Sequence, residues 1–192
     1  MVAMAFPIEH ASLRRMKRSE YLALADQGAF RDQRVELVFG MVVQMSPIGR
    51  SHRESVRMVN EVLIKRLKER AHVYCQVTFG ADGESLPEPD IYVTADDRTA
   101  EDWVSKATLV IEVADSTLTY DRNEKAALYA LSDVDEYWIV NLKAGEVEVR
   151  RDRDSHQAKW RTLTTHRRGE VIHPLAFPDV AIAVSDIVPP TE

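Results

Sequence analysis

Three residues carry most of the chemistry this sequence offers. Asp90 stands in Glu88-Pro89-Asp90-Ile91-Tyr92-Val93, and Glu112 interrupts the apolar run Thr108-Leu109-Val110-Ile111-Glu112-Val113. Lys125 follows on a stretch of helical character that also carries Asp121 and Tyr129. An acid in the middle of an apolar strand needs a partner, because an unpaired buried charge is costly. A divalent cation or a basic side chain supplies one. The plain alternatives are a solvated Asp90 that opens a strand after Pro89, and a Glu112 paired with Lys125 or an arginine. Three such residues within 88–129 point instead to a site. Asp90 and Glu112 at the ends of adjacent strands can bind one divalent ion, and magnesium prefers such oxygen donors. The ion lowers the pKa of a bound water and neutralises charge on phosphorus. Lys125, reaching from the next helix, orients that water or stabilises developing charge. Phosphodiester hydrolysis then requires no cysteine or serine nucleophile.

Other chemistries find no support. The chain has no G-x-x-x-x-G-K-[ST] loop, no G-x-G-x-x-G turn and no H-E-x-x-H. Ser46, Ser51 and Ser116 lie outside any nucleophile elbow. The six histidines are too dispersed for a histidine metal cluster. His52, near the start of a helix, can cap, pack or ligate, and structural or surface use is the plainer reading.

Composition frames these residues. At 192 residues, 45% hydrophobic and 29% charged, the chain is expected to form a single domain over 1–192, with a loose lead-in and tail. Cys75 is the only cysteine, so no internal disulfide forms, which suits a reducing, cytoplasmic setting. It lies in Val73-Tyr74-Cys75 and reads as a small buried hydrophobe. No run is long enough to cross a membrane as a helix. The apolar start, 1–7, lacks a preceding basic region and is not read as a signal sequence. A net charge of -6 argues against a bulk cationic nucleic-acid binder but permits a local basic face.

The elements that would hold the site follow in order. A helix is expected to run to about Ala25, starting either after Ser12 or at Ser19, with Arg14, Arg15, Lys17 and Arg18 as a solvated basic cluster beside it. Two short strands flank a hairpin tip at Phe39-Gly40, and Glu36 in the first is a cross-strand charge partner or a secondary site candidate. An amphipathic helix spans 51–70, with Val56, Val59, Leu63 and Leu67 on one face. It is locally basic, suiting solvation or phosphate contacts. Strands are expected at 73–79 and 90–93, separated by a polar loop, and then a charged surface loop with Asp96, Asp97, Arg98, Glu101 and Asp102. The strand 108–113 reads as central. The helix from about Tyr120 to Leu131 places Asp121 and Lys125 four apart, as an exposed ion pair. A strand at 136–140 and a hairpin into 146–149 follow, then a polar connector over 150–159. A further strand pair is expected at 160–163 and near Val171-Ile172. Tyr137 and Trp138 read as core or interface.

The ordered series Glu36, Pro89-Asp90, Glu112 and Lys125 resembles the PD-(D/E)xK nuclease superfamily. It looks most like the Uma2-type restriction endonuclease branch. The segments that carry the resemblance are Arg34-Val35-Glu36-Leu37 with Gly40, Met45-Ser46-Pro47 with His52, and Pro89-Asp90-Ile91. The strongest is Ile111-Glu112-Val113-Ala114-Asp115-Ser116-Thr117, followed by Asp121, Lys125, Tyr129 and Glu136-Tyr137-Trp138. The resemblance implies an α/β fold with a restriction-endonuclease-like core, a mixed β-sheet of four or more strands flanked by helices. It implies Asp90 and Glu112 as metal-binding acids, with Glu36 close to the metal, and a homodimer in many relatives. The superfamily pattern sets a lysine two residues beyond the acid, where this chain has Ala114. In this branch Lys125, on the following helix, is the natural substitute.

The function expected is hydrolysis of phosphodiester bonds in DNA by a Mg2+-dependent endonuclease, with Mn2+ as a possible substitute. The alternatives are a nuclease-fold module that binds nucleic acid or protein without cutting, and a phosphodiesterase acting on RNA or a nucleotide.

Overall fold

The computed structural model describes residues 14–95 and 103–190. The charged loop expected at 96–102 lies outside the described residues, as does any helix starting at Ser12. The chain opens with α1 (Arg18–Asp26), which follows the later of the two expected starts. The Glu20 carboxylate accepts from the Lys17 N–H at 2.9 Å and satisfies one of the free donors of the first turn. Strands β1 (Val35–Val38) and β2 (Met41–Gln44) form the expected hairpin. Phe39 and Gly40 both have positive φ, +50° and +72°, as a two-residue tip with the right twist requires. Gly40 is also fixed by space, since a Cβ there would lie 2.6 Å from the Arg15 Cβ.

Helix α2 (Arg50–Leu67) comes next and runs into a short 3-10 turn at Lys68–Arg70. Then come β3 (His72–Cys75), β4 (Ile91–Thr94), β5 (Lys106–Ala107) and β6 (Leu109–Ala114). A helical segment follows in three parts: α3 (Leu118–Tyr120), a π-helical turn at Asp121–Lys125, and α4 (Ala126–Leu131). The chain closes with β7 (Asp133–Val134), β8 (Tyr137–Asn141), β9 (Glu146–Asp154), β10 (Lys159–Arg167), β11 (Val171–Ile172) and β12 (Ile182–Ala183).

Six strands make one mixed sheet in the order β10-β9-β8-β6-β4-β3, with β6 and β8 parallel and the other neighbours antiparallel. This is the mixed sheet flanked by helices that the sequence led us to expect. Strand β6 is central, and all six of its residues are buried. Strand alternation divides the core into two layers. Ile91, Val93, Leu109, Ile111, Val113, Trp138 and Val140 pack with Val56, Val59, Leu63 and Leu67 of α2. Tyr92, Val110, Ala114, Tyr137 and Ile139 pack with Leu128 and Tyr129 of α4. Burying a side chain such as Leu63 fully is worth ~1.5–3 kcal/mol, so these two layers hold the helices against the sheet. Tyr137 and Trp138 are both fully buried and belong to the core.

Two expectations were wrong, and a third held only in part. The connector over 150–159 is instead a ribbon: β9 and β10 pair over nearly their whole length, and Trp160 lies opposite Arg153 rather than a strand near 171. Its charges conceal it, because cross-strand pairs such as Arg161–Asp154 (2.9 Å) satisfy one another on an exposed strand. Val171–Ile172 pairs with Ile182–Ala183. The strand expected over 73–79 stops at Cys75, where Gln76 turns to φ +52°. Finally, the basic cluster at 14–18 is solvated in part: Arg14, Arg15 and Lys17 are exposed, and Arg18 is turned partly inward. Arg14 pairs with Glu20, and Arg15 donates to the Phe39 carbonyl. Arg18 donates to the carbonyls of Ala81, Gly83 and Ser85 at 2.9–3.0 Å. That clamp, with the backbone bridge between Leu37 and Leu86, holds the hairpin and the 80–87 loop together.

Candidate functional site

The sheet register brings the two acids together. Ile91 lies opposite Ile111, so one step further along the antiparallel ladder Asp90 meets Glu112. The Asp90 N–H donates to Glu112 Oε2 at 3.3 Å, and the Val113 N–H donates to Asp90 Oδ2 at 2.9 Å. Strand alternation sets Glu112 on the same face as Val110 and Ala114, beneath the helical segment. From that segment Lys125 Nζ reaches Glu112 Oε1 at 3.1 Å, and the Tyr129 hydroxyl donates to the same oxygen at 2.7 Å. The π turn carries Lys125, and such turns recur where side chains must be re-aimed at functional sites.

Glu36 arrives from β1. Its Oε2 lies 2.6 Å from Lys125 Nζ, while the Glu88 N–H and the Tyr120 hydroxyl donate to its two oxygens. It is therefore no cross-strand surface partner. All four groups are buried: Glu36 is 3% exposed, Asp90 9%, Glu112 6% and Lys125 3%. Asp90 is thus not a solvated strand opener, whereas the expected pairing of Glu112 with Lys125 is present. The exposed Asp121–Lys125 pair is absent. Both side chains are buried, Lys125 is bound to Glu36 and Glu112, and Asp121 accepts from the Thr117 hydroxyl at 2.6 Å.

These residues line a cleft of about 310 Å³. Its walls include Val43 of β2, Met45, Pro47 and Ile48 after it, and Asp115 to Thr117 after β6. Six acids line it, Glu36, Glu88, Asp90, Glu112, Asp115 and Asp121, against two permanent cations, Arg34 and Lys125. The imbalance shows in the titration of the groups. Burial, reinforced by the charges of Asp90, Asp121 and Glu36, pushes the Glu112 carboxyl up to about 8 although Lys125 opposes it. Burial also pushes Asp121 up, to about 6, against the pull of Thr117 and Lys125. For Lys125 burial acts to remove the proton, but Glu112 and Glu36 outweigh it and hold the amine charged. His52 is balanced the same way: burial lowers its pKa, and the hydrogen bond and charge of Asp90 raise it further. An acidic pocket short of cations is a focus for positive ions.

The donor set fits a hard divalent cation. Among the described residues, Glu112 Oε2 receives only the long Asp90 N–H contact, and the Asp90 carboxylate lies beside it on the adjacent strand. Two carboxylates plus waters is a magnesium-type arrangement, since that ion keeps much of its hydration shell. Among the described residues no group of three or more His, Cys, Asp or Glu side chains converges as a ready-made cage.

Two contributors had no sequence signal we used. Gln76 donates to Asp90 Oδ1 at 3.3 Å from a left-handed backbone position. Tyr120 bonds Glu36 and lies, like Tyr129, 5.9 Å from Lys125 Nζ measured to the ring centre. His52, expected in a structural or surface role, has its Nε2 3.0 Å from Asp90 Oδ2.

The basic helix contributes less than its composition suggests. Arg57 and Lys65 are bound to Glu54 and Glu61, and Arg70 to Asp179.

Residues 18–185 match the Uma2 family, described as "Putative restriction endonuclease". The chain belongs to the Uma2 family. Its fold agrees with the crystal structure of a protein from Anabaena variabilis described as a "putative nuclease belonging to DUF820". The two superpose with a TM-score of 0.70 at 14% identity, over 90% of this chain and 97% of that one. Among curated proteins, none matches this sequence. Membership in Uma2 makes the chain one of the PD-(D/E)xK nuclease superfamily, with the restriction-endonuclease-like core described above. No helix among the described residues is long and apolar enough to cross a membrane.

Proposed function

We propose that this protein is a divalent-metal-dependent endonuclease that hydrolyses phosphodiester bonds in DNA. The observation that carries this reading is the meeting of Asp90, Glu112 and Lys125, from three separate elements, at the floor of one cleft with an excess of acids. Asp90 and Glu112 would hold Mg2+, or Mn2+ in its place, with Glu36 close by. Held there, such an ion would lower the pKa of a water and neutralise charge on the phosphate. Tyr129 and Lys125 hold Glu112 Oε1, which leaves Oε2 turned toward Asp90. Glu36 anchors the amine of Lys125, and from there its charge would act on the attacking water and on the charge that develops on phosphorus. Two strands of a duplex present two scissile phosphates, which a cytoplasmic homodimer would serve with one site each. The non-cleaving alternative draws on one observation, the lack of a ready-made three-ligand cage among the described residues.

The test uses plasmid, single-stranded DNA and RNA with magnesium, manganese or chelator. Asp90→Asn, Glu112→Gln and Lys125→Ala are expected to lose cleavage by about 10²–10³-fold, the usual cost of removing one charge-stabilising group. Calorimetry should show weaker Mn2+ binding in the two carboxylate variants and largely retained binding in Lys125→Ala. Full activity in Glu112→Gln would overturn the assignment. Absence of metal binding by the unchanged protein would favour the non-cleaving module.

A further inference from the structure

Asp90 is gripped from two sides by residues that the family resemblance does not put in the catalytic set. On one side His52, from the first turn of α2, places Nε2 3.0 Å from Oδ2. On the other, Gln76 places its side-chain amide 3.3 Å from Oδ1. The Val113 N–H completes the set on Oδ2. A carboxylate bonded at both oxygens does not rotate freely about its terminal bond, so the one lone pair these three bonds leave, on Oδ1, points in a fixed direction.

Gln76 is held there at a cost. Its backbone N–H bonds the Asp90 carbonyl at 3.0 Å, which extends the β3–β4 pairing by one step. Its φ is +52°, in the left-handed region that a residue with a Cβ occupies with strain and glycine occupies freely. Sheet pairing alone does not require this residue to be glutamine. Strain of this kind persists where the surrounding structure over-determines it, typically at functional sites. Both His52 and Gln76 also line the cleft. His52 Nδ1 is buried with no hydrogen-bond partner, so the protein-facing bond of this ring is the one to Asp90.

We propose that His52 and Gln76 are positioning residues that clamp the Asp90 carboxylate and aim it at the divalent cation, with Gln76 strained for that purpose. This rests on the metal-dependent reading of the site. Outer partners that orient a ligating group commonly govern 10–100-fold in metal affinity or activity.

The test is Mn2+ binding by calorimetry, thermal unfolding in chelator, and Mn2+-dependent cleavage, on the full chain. Gln76→Gly is the informative variant, because it removes the amide while relieving the backbone. It is expected to unfold at the same or a higher temperature than the unchanged protein, yet to bind Mn2+ about tenfold more weakly and to lose activity. A merely structural glutamine would not separate these readouts. His52→Ala is expected to weaken Mn2+ binding similarly, and His52→Gln to restore most of it, since the glutamine amide can reach Asp90 in place of Nε2. Unchanged Mn2+ affinity in both Gln76→Gly and His52→Ala, with the unchanged protein binding and cutting normally, overturns the clamp alone. If the unchanged protein binds no Mn2+, the clamp has nothing to aim at, and both it and the proposed function fall.

Discussion

Replacing Lys125 by methionine tests the electrostatic core of the site in the folded protein, apart from any catalysis. Methionine keeps much of the volume and removes the charge. The amine lies 2.6 Å from Glu36 Oε2 and 3.1 Å from Glu112 Oε1, and all three groups are buried. Breaking a buried pair by removing one partner costs ~3–5 kcal/mol, because the remaining charge is left uncompensated. Two features place this case at the lower end. Glu36 keeps the Tyr120 hydroxyl and the Glu88 N–H, and Glu112 keeps the Tyr129 hydroxyl and the Asp90 N–H. Burial has also already raised Glu112 to about 8, so it accepts a proton readily once the amine is gone. We therefore expect a loss of about 3 kcal/mol at pH 8 in chelator. For a chain of this size that corresponds to roughly 6–12 °C in Tm. The loss should shrink at pH 5.5, where the abandoned Glu112 carboxyl takes up a proton. Urea unfolding of the unchanged protein, Lys125→Met and Lys125→Met/Glu112→Gln measures it. The double variant should recover at least half of the loss, because a neutral amide needs no counter-charge. Equal stability of Lys125→Met and the unchanged protein at pH 8 would refute the reasoning, as would a double variant no better than the single.

Two further outcomes follow from the same geometry. Glu112 is raised from 4.5 to about 8, so the folded protein binds its proton more tightly than the unfolded chain; this contribution is fully present below pH 4.5 and is lost as pH rises to 8. In chelator, the stability of Glu112→Gln relative to the unchanged protein should therefore improve between pH 4.5 and 8, and a pH-independent difference in urea titrations would contradict it. Arg18→Ala removes a guanidinium that bonds three carbonyls of the 80–87 loop; about 2 kcal/mol of stability should be lost by denaturant unfolding, in line with hydrogen bonds from charged donors, and a loss within error of zero would show the clamp to be idle.

The parts of this protein that were legible in the sequence are those where local pattern and burial agree. The β1–β2 tip was readable because Phe39-Gly40 sits between two short apolar runs. Strand β6 was readable as central because an uninterrupted apolar run suits a strand covered on both faces. Asp90, Glu112 and Lys125 were visible as an acid, an acid and a base in a short compass. The β9–β10 ribbon was hidden because its exposed half carries charges on both faces, and cross-strand ion pairs leave no alternation to detect. Gln76 was invisible for a different reason. Its role depends on a left-handed φ at a strand end, and glutamine gives no propensity signal for that conformation. His52 was read as structural because no second ligand lies at helical spacing. Its partner is an aspartate 38 residues away, brought near by the sheet.

The proposed role of Lys125 in place of a lysine at 114 fits the same two periodicities that make the core. Alternation in β6 turns Val110, Glu112 and Ala114 to the side of α4. Ala114 is buried in the apolar layer with Ala126, Leu128 and Tyr129. A lysine at 114 would carry its stem into that layer, and its amine would need a counter-charge there. The helical segment above supplies the amine instead. Lys125 and Tyr129 are four apart, on one helical face, and both bind Glu112 Oε1. Glu36, from the first hairpin, takes the other side of the amine and fixes where it stands. One carboxylate on the strand thus receives its cation and its hydroxyl from a single helix, and strand position 114 is left free to pack. On the proposed assignment, what the superfamily pattern places along one strand would be shared between strand and helix. The strict spacing from the acid can then fail in the sequence while the amine still reaches the same carboxylate.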